Sequence, residues 1–457
     1  MSKITQIYNE YVDIVRSDMP QAKKSAQDML DYILNSTAKY HGRCVKSLHV
    51  PKLITDEEVE LFKNLVTTLY GIFDKVIAEY MVNSEYRKLF GFDKRLEELI
   101  MRKPVYSSNI PIARVDIFLD ENTHDFKFCE FNTDGTSAMN EDRELCKAVA
   151  VTQAFRKFTE KHRVRTFELF DSWVDAATDI YRDYCSRKNI GAHKATVCIT
   201  DFMESATENE FNIFREAFEN AGYNAYVCEI RELRHHDGKL YTPDGHVIDI
   251  VYRRAVTSDI MAHYDEVTQF IDAVKEEDVC LLGDFRTQIV HNKMIYKVLH
   301  DDMTKKLLTD DEQSYVEAHV PYTVVFNDES LGRKYSDTTL GEAVTGNREG
   351  WIIKPEDSYG SKGVHAGVEC TQEEWENFLK ENINKGYILQ EFVHPYKTEN
   401  VDFSKDDDWH LYSNLTGLFV YNGKFAGVYS RISACEMIST QLSLIHISEP
   451  TRLRCIS

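Results

Sequence analysis

The sequence predicts a mixed α/β protein, because helix and strand patterns alternate along most of its length. Three observations support this fold class. Residues 56–80 carry apolar side chains at helical spacing, within a first region of about 100 residues that is mostly helical in pattern. Residues 196–230 follow the order strand, helix, strand, which is typical of a β-α-β unit. The last third has four strand patterns around one helix pattern.

The chain is long enough for more than one hydrophobic core, since 457 residues exceed what a single core usually serves. We therefore expect several regions, divided where the pattern changes rather than by a low-complexity linker. The predicted regions are a helical N-terminal region over 1–110, a hairpin with helices over 111–190, a small α/β domain over 191–285, a strand-rich region over 286–442 and an unrelated tail over 443–457.

The composition is that of an ordinary globular protein, with 43% hydrophobic and 28% charged residues. The formal net charge of −21 argues against non-specific binding to nucleic acid or to an anionic membrane. No apolar run approaches the ~20 residues of a membrane span, and the first residues lack an apolar signal core. Ten scattered cysteines without a C-x-x-C pair are typical of reduced thiols. We therefore expect a cytoplasmic protein, and the sequence leaves its oligomeric state open.

The individual elements follow from apolar periodicity and from turn residues. The clearest turn is Asn422-Gly423, a two-residue hairpin connection of the strongest type. The predicted helices are 56–80, 137–159, 166–188, 208–221 and 372–380, and the predicted strands are 112–119, 126–132, 196–200, 226–230, 247–252, 351–354, 387–392, 415–421 and 425–431.

The strands 112–119 and 126–132 form a predicted hairpin that gathers polar side chains on one face. Residues two apart in a strand share a face, so Arg114 lies beside Asp116 and Glu130 lies beside Asn132. If the connecting loop has an odd length, Asp116 faces Glu130 and Arg114 faces Asn132. Two carboxylates and an amide oxygen are hard ligands that suit Mg²⁺, and an arginine beside them suits a phosphoryl oxygen. The alternative is a solvated face with a cross-strand ion pair.

Further acidic residues follow the hairpin, where Asp134, Glu141 and Asp142 precede or begin the next predicted helix. These residues could attract a cationic amine, or they could be favourable negative charges near a helix N-terminus. Cys129 alternates with the acidic residues of the hairpin, and we expect it to be a small core residue.

The last third supplies basic side chains and glycines that suit phosphate groups. Lys354 ends an otherwise apolar strand, where a buried ammonium group needs an anionic partner. Gly360 and Gly363 flank Lys362 in a loop whose backbone can approach a ligand closely, although an ordinary hairpin containing glycines has the same pattern. Lys293 stands at the start of a predicted helix, which also suits a phosphate.

Taken in order, these pieces resemble the synthetase module of glutathionylspermidine synthetase, a branch of the ATP-grasp carboxylate–amine ligases. The resemblance spans about residues 111–433 and rests on separated motifs. It departs from the bifunctional members of the family, whose additional amidase domain we do not expect here. The motifs are Ala-Arg-Val-Asp116, Cys-Glu-Phe-Asn132, Asn-Lys293, Ile-Ile-Lys-Pro355, Ser-Tyr-Gly-Ser-Lys-Gly363 and Leu-Gln-Glu-Phe392.

The resemblance implies an ATP-grasp fold, to which the small α/β domain and the helical N-terminal region are added. It implies that 286–442 is the ATP-grasp nucleotide-binding region and that 111–190 is part of the synthetase core. It implies that Asp116, Glu130 and Asn132 hold Mg²⁺, and that Arg114 stabilises the transferring phosphoryl group. It also implies that Lys293 and Lys354 bind the phosphates of ATP. The adenine would lie against residues 390–393, at the end of a predicted strand. The predicted nucleotide-binding residues are Lys293, Lys354, Gly360, Lys362, Gly363, Gln390, Glu391, Phe392 and Val393.

The sequence therefore predicts an ATP- and Mg²⁺-dependent ligase that joins a carboxylate to an amine through an acyl phosphate. The resemblance indicates the reaction type better than the substrates, which we expect to be a small-molecule or peptide carboxylate and an amine. One alternative is an ATP-binding protein without ligase activity, in which the acidic hairpin is structural. Another is an ATP-grasp kinase that stops at a phosphorylated product.

Residues 443–457 continue no pattern before them and closely resemble the translated sequencing-adapter read-through found at the ends of some predicted proteins. We expect the natural sequence to diverge near Gln441 or Leu442, the alternative being a genuine short C-terminal segment. We also expect this tail to pack on nothing and to be dispensable for stability.

Overall fold

The computed structural model describes residues 1–40, 43–191, 193–358, 362–438, 444–446 and 448–452. Helices and several sheets are combined throughout the chain, so the predicted mixed α/β class is confirmed. The helices are α1 (Lys3–Arg16), α2 (Met19–Asn35), α3 (Asp56–Val82), α4 (Ser84–Arg87), α5 (Lys94–Ile100), α6 (Met139–Ala150), α7 (Gln153–Thr159), α8 (Asp171–Lys188), α9 (Glu208–Asn220), α10 (Thr257–Ala262), α11 (Thr268–Lys275), α12 (Gln288–His291), α13 (Met294–Leu299), α14 (Asp302–Lys305), α15 (Asp310–His319), α16 (Asp328–Leu331), α17 (Leu340–Gly346) and α18 (Gln372–Asn382).

The strands form seven sheets in the part of the chain that the structure describes. They are β1 (Lys39–Tyr40), β2 (Arg43–Cys44), β3 (Lys52–Thr55), β4 (Ile112–Leu119), β5 (Phe126–Asn132), β6 (Arg163–Val164), β7 (Thr196–Asp201), β8 (Asn224–Glu229), β9 (Arg234–His236), β10 (Lys239–Tyr241), β11 (Val247–Ile248), β12 (Ile250–Arg253), β13 (Cys280–Leu282), β14 (Thr323–Val325), β15 (Lys334–Tyr335), β16 (Thr338–Thr339), β17 (Trp351–Pro355), β18 (His365–Ala366), β19 (Tyr387–Glu391), β20 (Lys397–Val401), β21 (Trp409–Tyr421), β22 (Lys424–Ser433), β23 (Leu444–His446) and β24 (Ser448–Arg452).

The largest sheet carries the predicted acidic hairpin at one edge. Its strand order is β23-β22-β21-β4-β5, and β20 pairs with β21 as a further strand. The hairpin strands β4 and β5 have the bounds that the sequence predicts. The turn between β21 and β22 is also confirmed, because Asn422 and Gly423 both have positive φ (46° and 75°), as a type I′ turn requires.

One face of this sheet is packed against the long helix α3, which begins at a capping box formed by Thr55 and Glu58. Apolar residues of β4 and β5, among them Val115 and Phe131, belong to the same buried core as the apolar residues of α3. Because successive strand residues point to opposite faces, Arg114 and Asp116 project to the other side of the sheet. The core of the protein thus lies behind the hairpin, and the polar face is turned away from α3.

The predicted small α/β domain contains a four-stranded parallel sheet in the order β13-β12-β7-β8. The predicted single strand 247–252 is wrong, because β11 and β12 belong to different sheets and Asp249 separates them. The Asp249 carboxylate accepts a hydrogen bond from the Thr196 backbone at 2.8 Å, which binds the chain at this point to the start of β7. Apolar periodicity continues through Asp249 and does not reveal this interruption.

A second antiparallel sheet, β14-β19-β17-β18, contains the predicted nucleotide-binding strands. Trp375 of α18 is fully buried in a core with Trp351 and Leu389, so α18 covers one face of this sheet. The other face carries Lys354 and Gln390.

The predicted helix 137–159 is wrong in one respect, because it is divided into α6 and α7. Thr152 stands at the break, where its hydroxyl accepts a hydrogen bond from the Phe155 backbone at 3.2 Å and so caps α7. Apolar spacing alone does not detect a cap inside a continuous pattern. Among the described helices, none combines the length and the apolar character that crossing a bilayer requires.

The described part of the tail differs from the prediction that it packs on nothing. β23 pairs with β22, and β24 pairs in parallel with β3 and antiparallel with β6. An extended segment can pair with a strand edge through its backbone alone, so this pairing does not need the side-chain periodicity that the tail lacks. That the tail is foreign to the natural protein and dispensable stays a prediction.

Candidate functional site

The hairpin brings together the four polar residues that the sequence places on one face. Arg114 lies opposite Asn132, and Asp116 lies opposite Glu130, as predicted. The connecting turn from Asp120 to Asp125 is even in length, however, because Leu119 pairs with Phe126. A β-bulge corrects the register, since Ile117 pairs with Phe128 and Cys129 is left over as the extra residue.

Cys129 is therefore a bulge residue and only half-buried, rather than the core residue that the sequence predicts. Burial of the sulfur raises the pKa of the Cys129 thiol to about 11. A thiol with this pKa stays protonated near neutral pH, which argues against a nucleophilic role.

Asp116 is the centre of the site, and its carboxylate is almost fully buried. Arg114 binds it with two hydrogen bonds, from Nε to Oδ1 at 2.7 Å and from Nη2 to Oδ2 at 3.1 Å. Arg431 donates to Oδ2 at 2.8 Å, and Asn132 donates Nδ2 to the same oxygen at 3.2 Å. Such bidentate, charge-assisted pairing fixes the plane of the Arg114 guanidinium. The remaining Nη1 of Arg114 donates to the Ser137 carbonyl at 3.1 Å, just before α6.

Glu130 forms an ion pair with Lys293, whose ammonium lies 3.0 Å from Glu130 Oε1. Burial alone would raise the pKa of Glu130, but Lys293, helped by His291 and Arg431, lowers it to about 2. Lys293 also donates to the Ser358 carbonyl at 2.8 Å, so it connects the hairpin to the glycine-containing loop. It precedes α13, as predicted.

Lys354 lies on the face of the second sheet that is turned to this cluster. Its ammonium donates to Gln390 Oε1 at 2.8 Å. Burial lowers the pKa of Lys354, and the charge of Lys293 lowers it further, while Cys129 and Glu130 act in the opposite direction. These mutual effects show that Lys354, Lys293 and Glu130 belong to one electrostatic cluster.

The predicted adenine-lining residues are only partly directed to this cluster. The side chain of Glu391 lies on the opposite sheet face from Gln390, where it accepts a hydrogen bond from the Tyr335 hydroxyl at 2.8 Å. The backbone N–H groups of Glu391 and Phe392 donate to Tyr322 and Gly350, so neither is free for a base edge. A cavity of about 670 Å³ begins at Val393, but the charged cluster does not line it.

The glycine-containing loop is described on both sides of its tip. Gly360 lies outside the described residues. Gly363 has a φ of +71°, and a Cβ there would lie 3.0 Å from Pro355 Cγ, so a glycine suits this position. Lys362 is exposed, and its charge acts on Asp259 of α10.

The turn after the hairpin is attached to the small α/β domain. Asp134 lies 2.8 Å from Arg253 Nη2 and accepts a hydrogen bond from Thr257 at the start of α10 at 2.6 Å. Gly135 has a φ of +58°, and a Cβ there would lie 2.6 Å from Val256.

Burial raises the pKa of Glu141 to about 8, and the Glu210 carboxylate adds to this effect. The Glu141 carboxyl therefore keeps its proton over much of the neutral range, which weakens both alternatives for this residue, attraction of a cationic amine and a favourable charge near a helix N-terminus.

Two residues of the site were not singled out by the sequence analysis. Arg431 ends the predicted strand 425–431, which is mostly apolar before Ser430, and a charged residue at the end of an apolar strand was the signal that identified Lys354. Gly417 lies opposite Asp116 on β21, and a Cβ there would lie 2.8 Å from Arg114 Cδ and 2.8 Å from Asp116 Oδ1. Its absence of a side chain leaves room for the arginine–carboxylate pair.

The charges of the site do not balance. Within the group of Arg114, Arg431, Lys293, Lys354, Asp116 and Glu130 there is a formal surplus of two positive charges, which the buried carboxylate of Asp142 near Tyr429 reduces in part. A surplus of positive charge between two sheets suits an anionic ligand.

Comparison with known proteins supports the fold. No protein-family model and no curated protein matches the sequence. The structure is similar to that of a glutathione synthetase-like effector from Globodera pallida in its apo form, with a TM-score of 0.56 and 11% identity over 93% of this chain and 96% of that chain. At this identity the similarity concerns the fold alone, and the predicted ATP-grasp fold is confirmed.

Two further solved structures align less closely. One is a proposed gamma-glutamylcysteine synthetase from Methylobacillus flagellatus KT, with a TM-score of 0.37 and 9% identity over 82% of this chain and 83% of that chain. The other is a D-cycloserine synthetase, with a TM-score of 0.32 and 14% identity over 57% of this chain and 76% of that chain.

The pKa of Glu130 predicts how stability depends on pH. Folding lowers this pKa from 4.5 to about 2, so the unfolded chain takes up the proton first as pH falls. The stabilisation is full above the unfolded pKa and is lost as pH falls towards the folded pKa. The difference in unfolding free energy between wild type and Glu130→Gln should therefore shrink from about pH 6 downwards, as measured by urea denaturation.

Glu356→Gln is the control of opposite sign, because burial raises the pKa of Glu356. As pH falls, the unfolding free energy of wild type should rise relative to that of Glu356→Gln. If the free-energy differences of Glu130→Gln and Glu356→Gln changed with pH in the same direction, the two pKa shifts would be wrongly assigned.

Gly417→Ala should destabilise the protein by about 1–3 kcal/mol, since the added methyl group meets Arg114 and Asp116 at less than contact distance. Gly346→Ala is the matched control, because a Cβ there meets nothing within 4 Å and alanine suits a helix better. Thermal and chemical denaturation of the two variants compares them directly. Equal stability would mean that the space over Asp116 is not needed.

Proposed function

We propose that this protein is an ATP- and Mg²⁺-dependent ligase that joins a carboxylate to an amine through an acyl phosphate. The observation that carries the proposal is a group of two carboxylates and an amide on one face of the largest sheet, with four cationic side chains around them. Two of these cations belong to the same sheet, one precedes α13 and one belongs to the second sheet. A magnesium–triphosphate complex is an anion with a hard cation at its centre, so it matches both the surplus positive charge and the oxygen ligands.

Glu130 and Asn132 fit a magnesium ion by their chemistry, and Asp116 fits through Oδ1, which accepts one hydrogen bond, because its Oδ2 already accepts three. Asn132 donates its Nδ2 to Asp116, which leaves its amide oxygen to serve as a ligand. The low pKa of Glu130 keeps this carboxylate ionised at neutral pH, as a metal ligand must be. Bound magnesium would neutralise phosphate oxygens.

Arg114 is the proposed stabiliser of the transferring phosphoryl group. Its guanidinium is held by Asp116 and by the Ser137 carbonyl, so it is oriented before any ligand arrives. A donor fixed in advance stabilises developing charge without the cost of reorganisation. Lys293 and Lys354 would bind nucleotide phosphates, and the loop of Gly360, Lys362 and Gly363 would lie over them.

The adenine would be bound near Gln390, Glu391, Phe392 and Val393 through backbone carbonyls and the apolar surface of the strand end. The substrates are a small-molecule or peptide carboxylate and an amine. A glutathionylspermidine synthetase-like pairing follows from the sequence resemblance alone. The net charge of −21 supports a protein that does not bind nucleic acid. The ten scattered cysteines without a C-x-x-C pair support a cytoplasmic site of action.

A hydroxylamine assay tests the reaction type. Hydroxylamine traps an acyl phosphate as a hydroxamate, so a ligase should form hydroxamate and ADP from ATP, Mg²⁺ and its carboxylate without the amine. A screen of carboxylates for this signal identifies the first substrate. Formation of a stable phosphorylated product without hydroxamate would indicate a kinase instead, and nucleotide binding without turnover on any carboxylate would favour the binding protein.

Glu130→Gln and Asn132→Ala should lower the Mg²⁺-dependent rate by a factor on the order of 10²–10³ while the fold is kept. Glu391→Gln is the matched control, because this carboxylate faces away from the cluster although it belongs to the predicted nucleotide site. It should keep most of the activity. Wild-type rates in both hairpin variants would show that the hairpin is structural.

Lys354→Ala should weaken ADP binding more than Lys362→Ala does. Lys354 is held on a strand by Gln390, whereas Lys362 is exposed in a loop that we expect to order only over a nucleotide. Calorimetric titration with ADP measures both affinities. Equal losses would remove the distinction between the two lysines.

A further inference from the structure

A second group of metal-ligand side chains lies away from this site. His235 of β9, together with Glu276 and Asp278 after α11, places one ligand atom each within 4.8 Å of the other two. His235 is largely buried, Asp278 is partly buried and Glu276 is exposed, so the group lies at the surface with one buried side. The proposed ligase reaction uses none of these three residues.

The local fold brings the three side chains together from two elements. β9 turns into β10 through Asp237 and Gly238, which both have positive φ (52° and 68°). After α11 the chain reverses at Glu277, which has a φ of +60°. The Glu277 carboxylate lies 3.3 Å from the Lys188 ammonium and is not part of the group, whereas the adjacent residues Glu276 and Asp278 are.

The histidine strand is attached to α11 independently of any ion. The His235 backbone donates to Gln269 of α11 at 2.9 Å, and the Asp278 backbone donates to Ala273 at 3.0 Å. Both attachments involve the backbone, so they hold the position of the side chains without using their ligand atoms. The group is thus largely arranged by the fold.

The chemistry of the group indicates which ion fits. The group holds two carboxylates and one imidazole, and His235 Nε2 lies 2.7 Å from Asp278, so even a protonated imidazole would offset only one of the two negative charges. One imidazole nitrogen and two carboxylate oxygens suit zinc and similar transition ions, whereas magnesium and calcium prefer oxygen alone. Three protein ligands leave a fourth position for water.

We propose that His235, Glu276 and Asp278 bind a divalent transition-metal ion, with zinc as the preferred ion. The ion joins the β9–β10 hairpin to the end of α11. The proposal is independent of the ligase function, because the residues, the metal and the part of the fold all differ.

Zinc titration tests the proposal on the full chain, freed of metal by a chelator and of any affinity tag. Isothermal calorimetry in excess Mg²⁺ should show one zinc equivalent in wild type that is lost in His235→Gln and in Asp278→Asn. Glu276→Gln, which changes only an exposed side chain, should weaken zinc binding by about tenfold or more. Cobalt substitution supplies an independent readout, since its visible bands report nitrogen and oxygen ligands.

His236→Gln is the matched control, because His236 is the next residue on the same strand and its side chain is exposed. It should keep the zinc equivalent and the rise in melting temperature that zinc causes. Failure of wild type to bind zinc, or equal behaviour of His235→Gln and His236→Gln, would overturn the proposal and leave His235 and Asp278 as an ion pair only. Far-UV circular dichroism and urea unfolding midpoints that match wild type in the absence of zinc would show that all four variants remain folded.

Discussion

The buried carboxylate of Asp116 is the constraint on which the rest of the site depends. A buried charge is costly unless it is paired, and here two arginines and an asparagine supply the pairing. The partners come from β4, β5 and β22, so the register of these strands is set around one side chain. Gly417 of β21 lies between them and keeps the space open. The arginine that could act on a phosphoryl group is therefore oriented by the sheet itself.

The sequence predicted the local part of this arrangement well. β4 and β5 alternate polar and apolar residues, so their bounds and the shared face of Arg114 and Asp116 follow from periodicity. The pairing of Asp116 with Glu130 was also correct, although for an incomplete reason. An odd loop was assumed, whereas the structure has an even turn and a bulge that shifts the register by one residue.

The long-range part could not be predicted in the same way. Arg431 and Gly417 are separated from Asp116 by about 300 residues of chain, and only the pairing of β4 with β21 and β22 brings them together. In contrast, the sequence alone was enough to predict which side chains of β19 share a face. Gln390 and Glu391 are adjacent in one strand, so their side chains had to point to opposite sides. The carboxylate of Glu391 lies on the sheet face opposite Lys354, where it accepts a hydrogen bond from Tyr335.

The bulge at Cys129 has a consequence for comparing chains of different length. In a regular ladder continued from the turn, Glu130 would lie opposite Val115 and would point into the core behind the sheet. A related chain that lacked a residue corresponding to Cys129 would keep Glu130 and Asn132 on the polar face, because only the unpaired residue would be gone. An alignment gap belongs at this position, and a deletion there is compatible with the site, whereas a single deletion within 130–132 is not.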